Sequence, residues 1–446
     1  GDIQPTNARI RWIDEARNAP PLIFEDVTLA MGARDDDLVF TMTARPPAEL
    51  GRSFAMQGRL HILEDVRPQR VQGKLSGRFH VHVQGMRPAS WQPWLDVHSA
   101  LREGEVSWRG WQEMVDGSAG HHVSEIRVSD GRWHMQGAAE VSVETLRLFV
   151  QGPWQSIQNF WSEEAAPATQ SADASLRVAF ETHGLQVDVP DVLTAPLRFD
   201  AIALSAGLTH APDTGLRVGV DRLQLRNPDM DLDVQGSWQQ EGAGDLGLVD
   251  LHGRFLRAEF SAIERYLPRV VDDDARAWMR NGLLAGRLVD GPVRLAGDLA
   301  YFPFGEHPDK GDFEVGGAVE GVVIDYAPAA LVGEPGWPRI ENLHGHASLH
   351  RVELRVRGHT MQMRPEGKPV DFTGVEARIN NIEEDSVLEV SGTGRAPAAT
   401  VLTFLRASPV GASLDNAFVQ AQGEGNWQVP LSLHIPLTGT QPIRVA

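Results

Sequence analysis

Histidine pairs are the residues of this sequence whose spacing comes nearest to that of a metal site. His80 and His82 stand two residues apart, His121 and His122 are adjacent, and three more histidines fall within residues 344–350. Two histidines at i and i+2 share one face of a strand and can ligate a metal ion. Each of these groups, His121–His122 included, falls in the polar phase of a predicted strand, where solvated histidine is ordinary. We therefore predict no metal site and no cofactor.

Sequence strings for catalysis are missing. The acidic runs Asp35–Asp37 and Asp272–Asp274 lack the spacing of a calcium loop; the first is typical of a turn and the second of a helix start. The chain has no G-x-S-x-G elbow, no Walker A loop and no H-E-x-x-H string. The absence of cysteine excludes a thiol nucleophile, a Cys-ligated zinc ion and disulfides. These observations favour a protein that is not an enzyme.

Tryptophan is the unusual residue type, with 12 Trp against 3 Tyr. Indole rings either pack in a core or form amphipathic edges that contact sugar or lipid. An acidic, Trp-bearing β protein can also be a glycosidase that uses two carboxylates. Because the 60 acidic residues offer no evident pair, a carbohydrate-active protein stays open as an alternative function.

Charge and hydropathy argue against two further classes of protein, those that bind nucleic acids and those that span a membrane. Lys plus Arg is 41 and Asp plus Glu is 60, so the formal charge of −19 is unsuited to the phosphates of nucleic acids. No stretch approaches the roughly 18 consecutive apolar residues of a membrane span. The sequence starts at Gly1 and shows no signal peptide. We therefore expect a piece of a longer protein, with any targeting or anchoring segment outside the given sequence.

Apolar and polar residues alternate over much of the chain. Leu354 and Val356, for example, alternate with Glu353 and Arg355. Such alternation gives a strand one apolar and one polar face, which is typical of an antiparallel sheet with one wet side. Many of these runs finish as apolar-x-apolar-x-Gly, as at Phe54–Gly58. The glycine predicts a turn or bulge at the end of the strand.

Helical patterns are few. Trp154–Trp161 predicts a short helix, and a stripe that includes Trp278 predicts a helical interruption near residues 262–285. Apolar spacing predicts another over residues 398–406, with Pro409 as its stop.

The chain offers one candidate boundary. Residues 162–174 are rich in Ser, Ala, Glu and Pro and are predicted to form a linker or loop. Residues 1–161 are then the first, Trp-rich part of the β-structure, and residues 175–446 are its continuation with the helical interruptions.

The predicted fold is mostly β, a long antiparallel meander with few short helices. Open sheets with this many strands must curl, split or close. We predict that the sheet curls lengthwise into a groove with an apolar concave face. The alternative is a β-sandwich, or stacked β-domains, whose apolar faces cover each other.

Several short strings resemble the YhdP branch of the AsmA-like proteins. They include Trp12–Asp14, Tyr266–Pro268, Gly286–Gly291, Leu295–Leu299, Phe302–Phe304, Val323–Ala327, Trp337–Pro338 and Ile340–Leu343. The strings are structural and degenerate, and the resemblance covers most of the chain.

The resemblance implies a bridge-like lipid transfer protein of the Gram-negative envelope. Such proteins are anchored in the inner membrane by an N-terminal helix and extend into the periplasm as a long β-sheet folded into a hydrophobic groove. Phospholipids are thought to slide along that groove toward the outer membrane, which supports outer-membrane lipid homeostasis. The expected partners are phospholipid acyl chains and the two membranes, which are reached through segments outside this chain.

The candidate lipid-binding residues occupy the apolar phase of the predicted strands. They are Phe79, Val81, Val83, Leu148, Val150, Leu223, Leu225, Leu232, Val234, Val352, Leu354 and Val356. The alternative to a lipid groove is a non-enzymatic envelope scaffold with a closed β core and no ligand.

Overall fold

A computed structural model describes residues 4–445 apart from 16, 35–36, 63–74, 95–100, 136–138, 162–174, 212–214, 241–245, 270, 272, 326–336, 384–385, 415–416 and 437–443. The described residues are mostly β, arranged as an antiparallel meander with few short helices. This confirms the predicted fold class. The predicted linker at 162–174 lies outside the described residues, so the division at that point stays a prediction.

Twenty-one strands and four α-helices form within the described part of the chain. The strands are β1 (Ala8–Trp12), β2 (Leu22–Arg34), β3 (Asp37–Arg45), β4 (Ser53–Ile62), β5 (Leu75–Met86), β6 (Leu101–Val115), β7 (Ser118–His134), β8 (Glu140–Pro153), β9 (Ser175–Asp188), β10 (Leu197–Ala211), β11 (Gly215–Arg226), β12 (Met230–Gln239), β13 (Leu248–Glu259), β14 (Leu283–Asp298), β15 (Gly311–Ile324), β16 (Ile340–His350), β17 (Glu353–Met363), β18 (Val370–Ile379), β19 (Val387–Pro397), β20 (Asn426–Pro436) and β21 (Arg444–Val445). The helices are α1 (Trp154–Trp161), α2 (Asp273–Gly282), α3 (Ala398–Ala407) and α4 (Pro409–Ser413).

The chain divides into two compact units. Unit 1 contains residues 1–191, 195–224 and 239–241, and unit 2 contains residues 192–194, 225–238 and 242–446. In unit 1, β1 pairs with β2, and each strand from β2 to β9 pairs antiparallel with the next. In unit 2 the same holds from β13 to β19, and β21 pairs with β20.

Burial follows the alternation of the sequence where the strands are regular. In β18, Val370 and Phe372 are buried whereas Asp371 and Thr373 are exposed. Successive side chains of a strand point to opposite faces, so this pattern separates an apolar from a polar face.

Several glycines of the apolar-x-apolar-x-Gly strings lie inside strands, and the prediction that they end strands is wrong for them. Gly58 lies within β4, between its cross-strand neighbours Phe40 and Phe79. A Cβ on Gly58 would lie 2.7 Å from the Phe40 ring and 2.8 Å from Phe79 Cβ. The glycine therefore leaves room for bulky neighbours on the next strands, a requirement that is not visible in the local sequence.

The helices form at the predicted positions, but α2 packs through a different side chain from the predicted one. α1 and α3 form where the apolar spacing predicts them, and a 3₁₀ turn at Phe260–Tyr266 precedes α2. The apolar stripe predicted for α2 is wrong, because Trp278 is exposed and Arg276 is its buried side chain. Pro409 follows the end of α3, as predicted, and also begins α4.

Candidate functional site

The apolar side chains of unit 1 line up from strand to strand on one face of its sheet. Directly opposed residues of neighbouring strands share a face, so the pairing register shows which side chains lie together. One row runs through Phe54, Val83, Trp108, Ile126, Leu148, Phe180 and Leu204. The next row runs through Met56, Val81, Gly110, Ser124, Val150, Val178 and Ala206. We call this surface the unit 1 apolar face.

The structure brings five of the predicted residues together on this face. Phe79, Val81, Val83 and Leu148 are half-buried, and Val150 is buried. All seven side chains of the row through Val83 and Leu148 are half-buried. Such side chains contact one another along the sheet and still keep part of their surface accessible.

Helix α1 covers one part of the unit 1 apolar face. Its Ile157 forms a buried cluster with Val150 and Leu176, against which Leu148 and Leu208 pack. In the part of the chain that the structure describes, this cluster holds three fully buried residues, so α1 covers the face locally there.

A polar network interrupts the same face, and sequence reasoning missed it. Ser124 Oγ lies 2.7 Å from His122 Nε2 and accepts a hydrogen bond from Trp108 Nε1 at 3.0 Å. His122 Nδ1 lies 2.9 Å from Gln112 Oε1, and the imidazole contacts the Trp154 ring edge-on at 4.9 Å between centroids. The adjacent His121–His122 pair was the available signal, but its assignment to the polar phase of a strand is wrong for His122, which is buried on the apolar side.

Burial lowers the pKa of His122, and the neighbouring His121 lowers it further. A neutral imidazole fits the network, in which one ring nitrogen donates and the other accepts. Because both nitrogens of His122 are engaged, we assign this network to the architecture of the face.

Unit 2 has its own apolar face, defined in the same way. One row runs through Val293, Val315, Leu349, Leu354, Ile379, Leu388 and Ile435. A neighbouring row runs through Ala347, Val356, Ala377, Val390 and Leu433. The predicted residues Leu354 and Val356 therefore belong to the unit 2 apolar face, and both are half-buried.

Val234 also lies on the unit 2 apolar face. A Cβ on Gly253 would lie 2.7 Å from Val234 Cγ1, and Gly253 pairs with Val293 of that face. Leu232 stands two residues before Val234 on the same strand and is half-buried. The period of two gives Leu232 the same orientation.

Three predicted lipid-binding residues belong to none of the apolar rows described above. Val352 lies in the turn between β16 and β17, so its assignment to a strand is wrong. A Cβ on Gly305 would lie 2.6 Å from Val352 Cγ1, so Val352 lies close to the loop before β15. Leu223 and Leu225 are half-buried on β11, and their orientation stays a prediction.

Helices cover one end of the unit 2 apolar face. Val401 and Phe404 of α3 join a cluster of twelve buried residues. The Phe404 ring contacts the Phe372 ring at 6.0 Å between centroids. Val410 of α4 packs on Leu433 in a second cluster. Six side chains of the row through Leu354 are half-buried, whereas its last member, Ile435, is buried in the cluster with Val410.

The opposite faces of both units carry charge. Glu125 is 5% exposed, and its Oε1 accepts hydrogen bonds from Arg127 Nη2 at 2.7 Å and Arg147 Nε at 3.0 Å. Burial raises the pKa of the Glu125 carboxyl, but Arg127 and Arg147 outweigh burial and its pKa is lowered. Glu353 of unit 2 binds Arg355 and Arg378 in the same way, and its pKa is also lowered. Each sheet thus has one apolar face and an opposite face that carries a Glu–Arg cluster.

A buried arginine explains part of the Tyr266–Pro268 string. Arg276 of α2 donates to Leu267 O at 2.8 Å and Pro268 O at 2.9 Å. Tyr266 donates to Asp229 Oδ2 at 2.9 Å, and burial raises the pKa of Tyr266 to about 12. These contacts hold α2 beside the sheet, so the string has a structural role.

Metal-ligating clusters and membrane-spanning helices are both absent from the described residues. In the described ranges, no group of three or more His, Cys, Asp or Glu side chains could hold a metal ion. None of the helices in the part of the chain that the structure covers is long and apolar enough to cross a membrane.

Fold and site define an antiparallel β protein with an extended apolar face on one side of each unit's sheet. The model of the YhdP protein family matches residues 138–446, and the chain belongs to this family. Comparison with the curated proteins and with the solved structures gives no match.

Proposed function

We propose that the chain carries lipid, with acyl chains lying on the unit 1 and unit 2 apolar faces. The observation that supports this most directly is the uninterrupted row of seven half-buried side chains through Val83 and Leu148. A helix that closed a conventional core would bury such a row. Among the described residues, α1 packs on Val150 and Leu176 and leaves the row through Val83 half-buried.

The energetics of such a surface suit transfer. Shielding each CH₂ group from water contributes about 0.8 kcal/mol, so two acyl chains would be held firmly. Hydrophobic contact is non-directional, so successive rows of similar composition hold a chain with similar free energy. A lipid can therefore move along the face without covalent chemistry, and no catalytic residue is required.

The proposal extends to cellular location through the family. The chain would act in the periplasm of a Gram-negative envelope, as part of a protein anchored in the inner membrane by a segment outside this sequence. It would carry phospholipid between the inner and outer membranes and support outer-membrane lipid homeostasis.

Lipid content after detergent-free purification tests the proposal. We expect solvent extraction and mass spectrometry to find phospholipid on the wild-type chain and much less on Leu354→Asp, because a carboxylate on an apolar face opposes acyl-chain contact. Leu232→Asp should act in the same way. Thr373→Asp makes a similar change at an exposed residue and should leave the lipid content unchanged.

Two outcomes of this experiment would contradict lipid carriage by the apolar faces. A folded wild-type chain without phospholipid would favour an envelope scaffold. Equal phospholipid on Leu354→Asp and on the wild-type chain would show that any bound lipid lies elsewhere.

A further inference from the structure

An exposed tryptophan marks the polar face of unit 1, opposite the unit 1 apolar face. Trp111 lies in β6, between its cross-strand neighbours His80 and Val123, and is 42% exposed. Indole combines a flat apolar ring with a polar N–H group, and such rings are favoured where a ligand is part apolar and part hydrated. A water-facing strand position does not need so large an apolar ring, so the exposed indole of Trp111 is a candidate ligand contact.

Trp111 lines a cavity of about 540 Å³ on this face. Polar side chains surround the indole, among them Thr41, Gln57, His121 and the ion pair of Arg78 with Glu113. The His80 ring lies 4.8 Å from the Trp111 ring between centroids. His80 Nε2 is buried and has no hydrogen-bond partner among the described residues. Because this nitrogen is buried, a ligand in the cavity would instead meet the exposed side chains of Gln57 and His121.

Arginines lie beside this cavity. Arg109 is two residues from Trp111 on the same face, a distance of about 7 Å along a strand. It lines a neighbouring depression of about 240 Å³ together with Arg52, Arg127 and Glu125. Arg127 and Arg147 share the single carboxylate of Glu125. Five arginines (Arg52, Arg78, Arg109, Arg127 and Arg147) thus stand against three carboxylates (Glu105, Glu113 and Glu125) here, although the whole chain has a charge of −19.

We propose that the polar face of unit 1 binds an acidic glycan. A sugar ring would stack on Trp111, its hydroxyls would hydrogen-bond Gln57 and His121, and a carboxylate or phosphate on an adjacent sugar would bind Arg109. The C–H face of a pyranose complements an indole, and its hydroxyls both donate and accept hydrogen bonds. Arginine binds planar oxyanions with two parallel hydrogen bonds.

Calorimetric titration of the full chain tests this site. The probes are a galacturonic acid hexamer, which is acidic, and a β-1,4-linked N-acetylglucosamine hexamer, which is neutral. We expect saturable binding of the acidic hexamer that weakens as salt rises. Trp111→Ala should weaken it up to about ten-fold because the stacking surface is lost, and Trp111→Tyr should retain most of the affinity. Arg109→Gln should weaken binding of the acidic hexamer and not that of the neutral one.

The control is Trp12→Ala, because Trp12 is exposed to the same 42% and lies in β1. It should bind the acidic hexamer like the wild-type chain. Absence of binding to the wild-type chain, or equal binding by folded Trp111→Ala, overturns the proposal. Equal losses in Trp12→Ala and Trp111→Ala overturn it too. None of these outcomes depends on lipid carriage by the opposite face.

Discussion

His122 is held in one tautomer by its neighbours on the unit 1 apolar face. Gln112 Nε2 donates to Glu113 O at 2.7 Å, so Gln112 Oε1 faces His122 Nδ1 and requires a proton there. His122 Nε2 then accepts from the Ser124 hydroxyl, which itself accepts from Trp108. A second proton on the imidazole would leave Ser124 with two donors and no acceptor for its own proton.

This arrangement predicts a pH dependence of stability. The pKa of His122 is lowered from 6.5 in the folded chain, so between the folded pKa and 6.5 the unfolded chain binds more protons. The free energy of unfolding is then highest above pH 6.5 and falls as pH falls through the folded pKa. Urea unfolding at pH 7.5 and 5.5 should show a smaller pH difference for His122→Asn than for the wild-type chain. An equal difference would contradict the assignment to His122.

Arg276 offers a second prediction at the scale of single residues. It is 3% exposed and donates to Thr194 Oγ1 and Glu264 Oε1, each at 3.0 Å, besides two backbone carbonyls. Arg276→Ala should lower the free energy of unfolding by about 3–5 kcal/mol, because it leaves buried acceptors without a donor. Arg280 binds the same Glu264 oxygen at 2.9 Å but is exposed. Arg280→Ala should therefore change stability little, and equal losses measured by urea unfolding would contradict this account.

At the scale of elements, the alternation of apolar and polar residues predicts the strands, but it does not predict the closest contacts between neighbouring strands. The period of two at Leu354 and Val356 correctly predicts β17 and the side of the sheet that these residues occupy. It does not predict Gly58 inside β4, because the reason lies in Phe40 and Phe79 on the neighbouring strands. Local pattern therefore predicts faces, whereas cross-strand packing decides individual residues.

Helix α2 shows the same limit. Its spacing predicts an apolar contact through Trp278, yet the helix is held by Arg276. The partners of Arg276 include Thr194, which is far away in sequence. A sequence pattern within one helix cannot reveal such a contact.

Two glycines in strands test the role of close packing. A Cβ on Gly253 of β13 would lie 2.1 Å from Asp233 O, whereas a Cβ on Gly207 of β10 would meet no atom within 4 Å. Gly253→Ala should lower the free energy of unfolding by about 1–3 kcal/mol, because the backbone must move apart. Gly207→Ala should be neutral or stabilising by up to about 1 kcal/mol. Thermal unfolding of both variants checks this, and similar effects would contradict the packing argument.

At the scale of the whole molecule, the two units share a design. Each has an antiparallel sheet with an apolar face that helices cover only in part, and an opposite face with Glu–Arg clusters. The mostly β class and the family were predictable because alternation and short strings recur along most of the chain. The extent of helical cover was not predictable, because it depends on where α1, α3 and α4 pack.

Site-specific photocrosslinking tests lipid carriage most directly. The chain has no cysteine, so a single photoreactive group can be attached at one introduced cysteine. We expect crosslinks to phospholipid from Val83 and Leu354, on the apolar faces, and none from Gln84 and Thr373, which are exposed on the polar side. Crosslinks of equal yield from all four positions, or from none of them, would contradict a lipid path along the apolar faces.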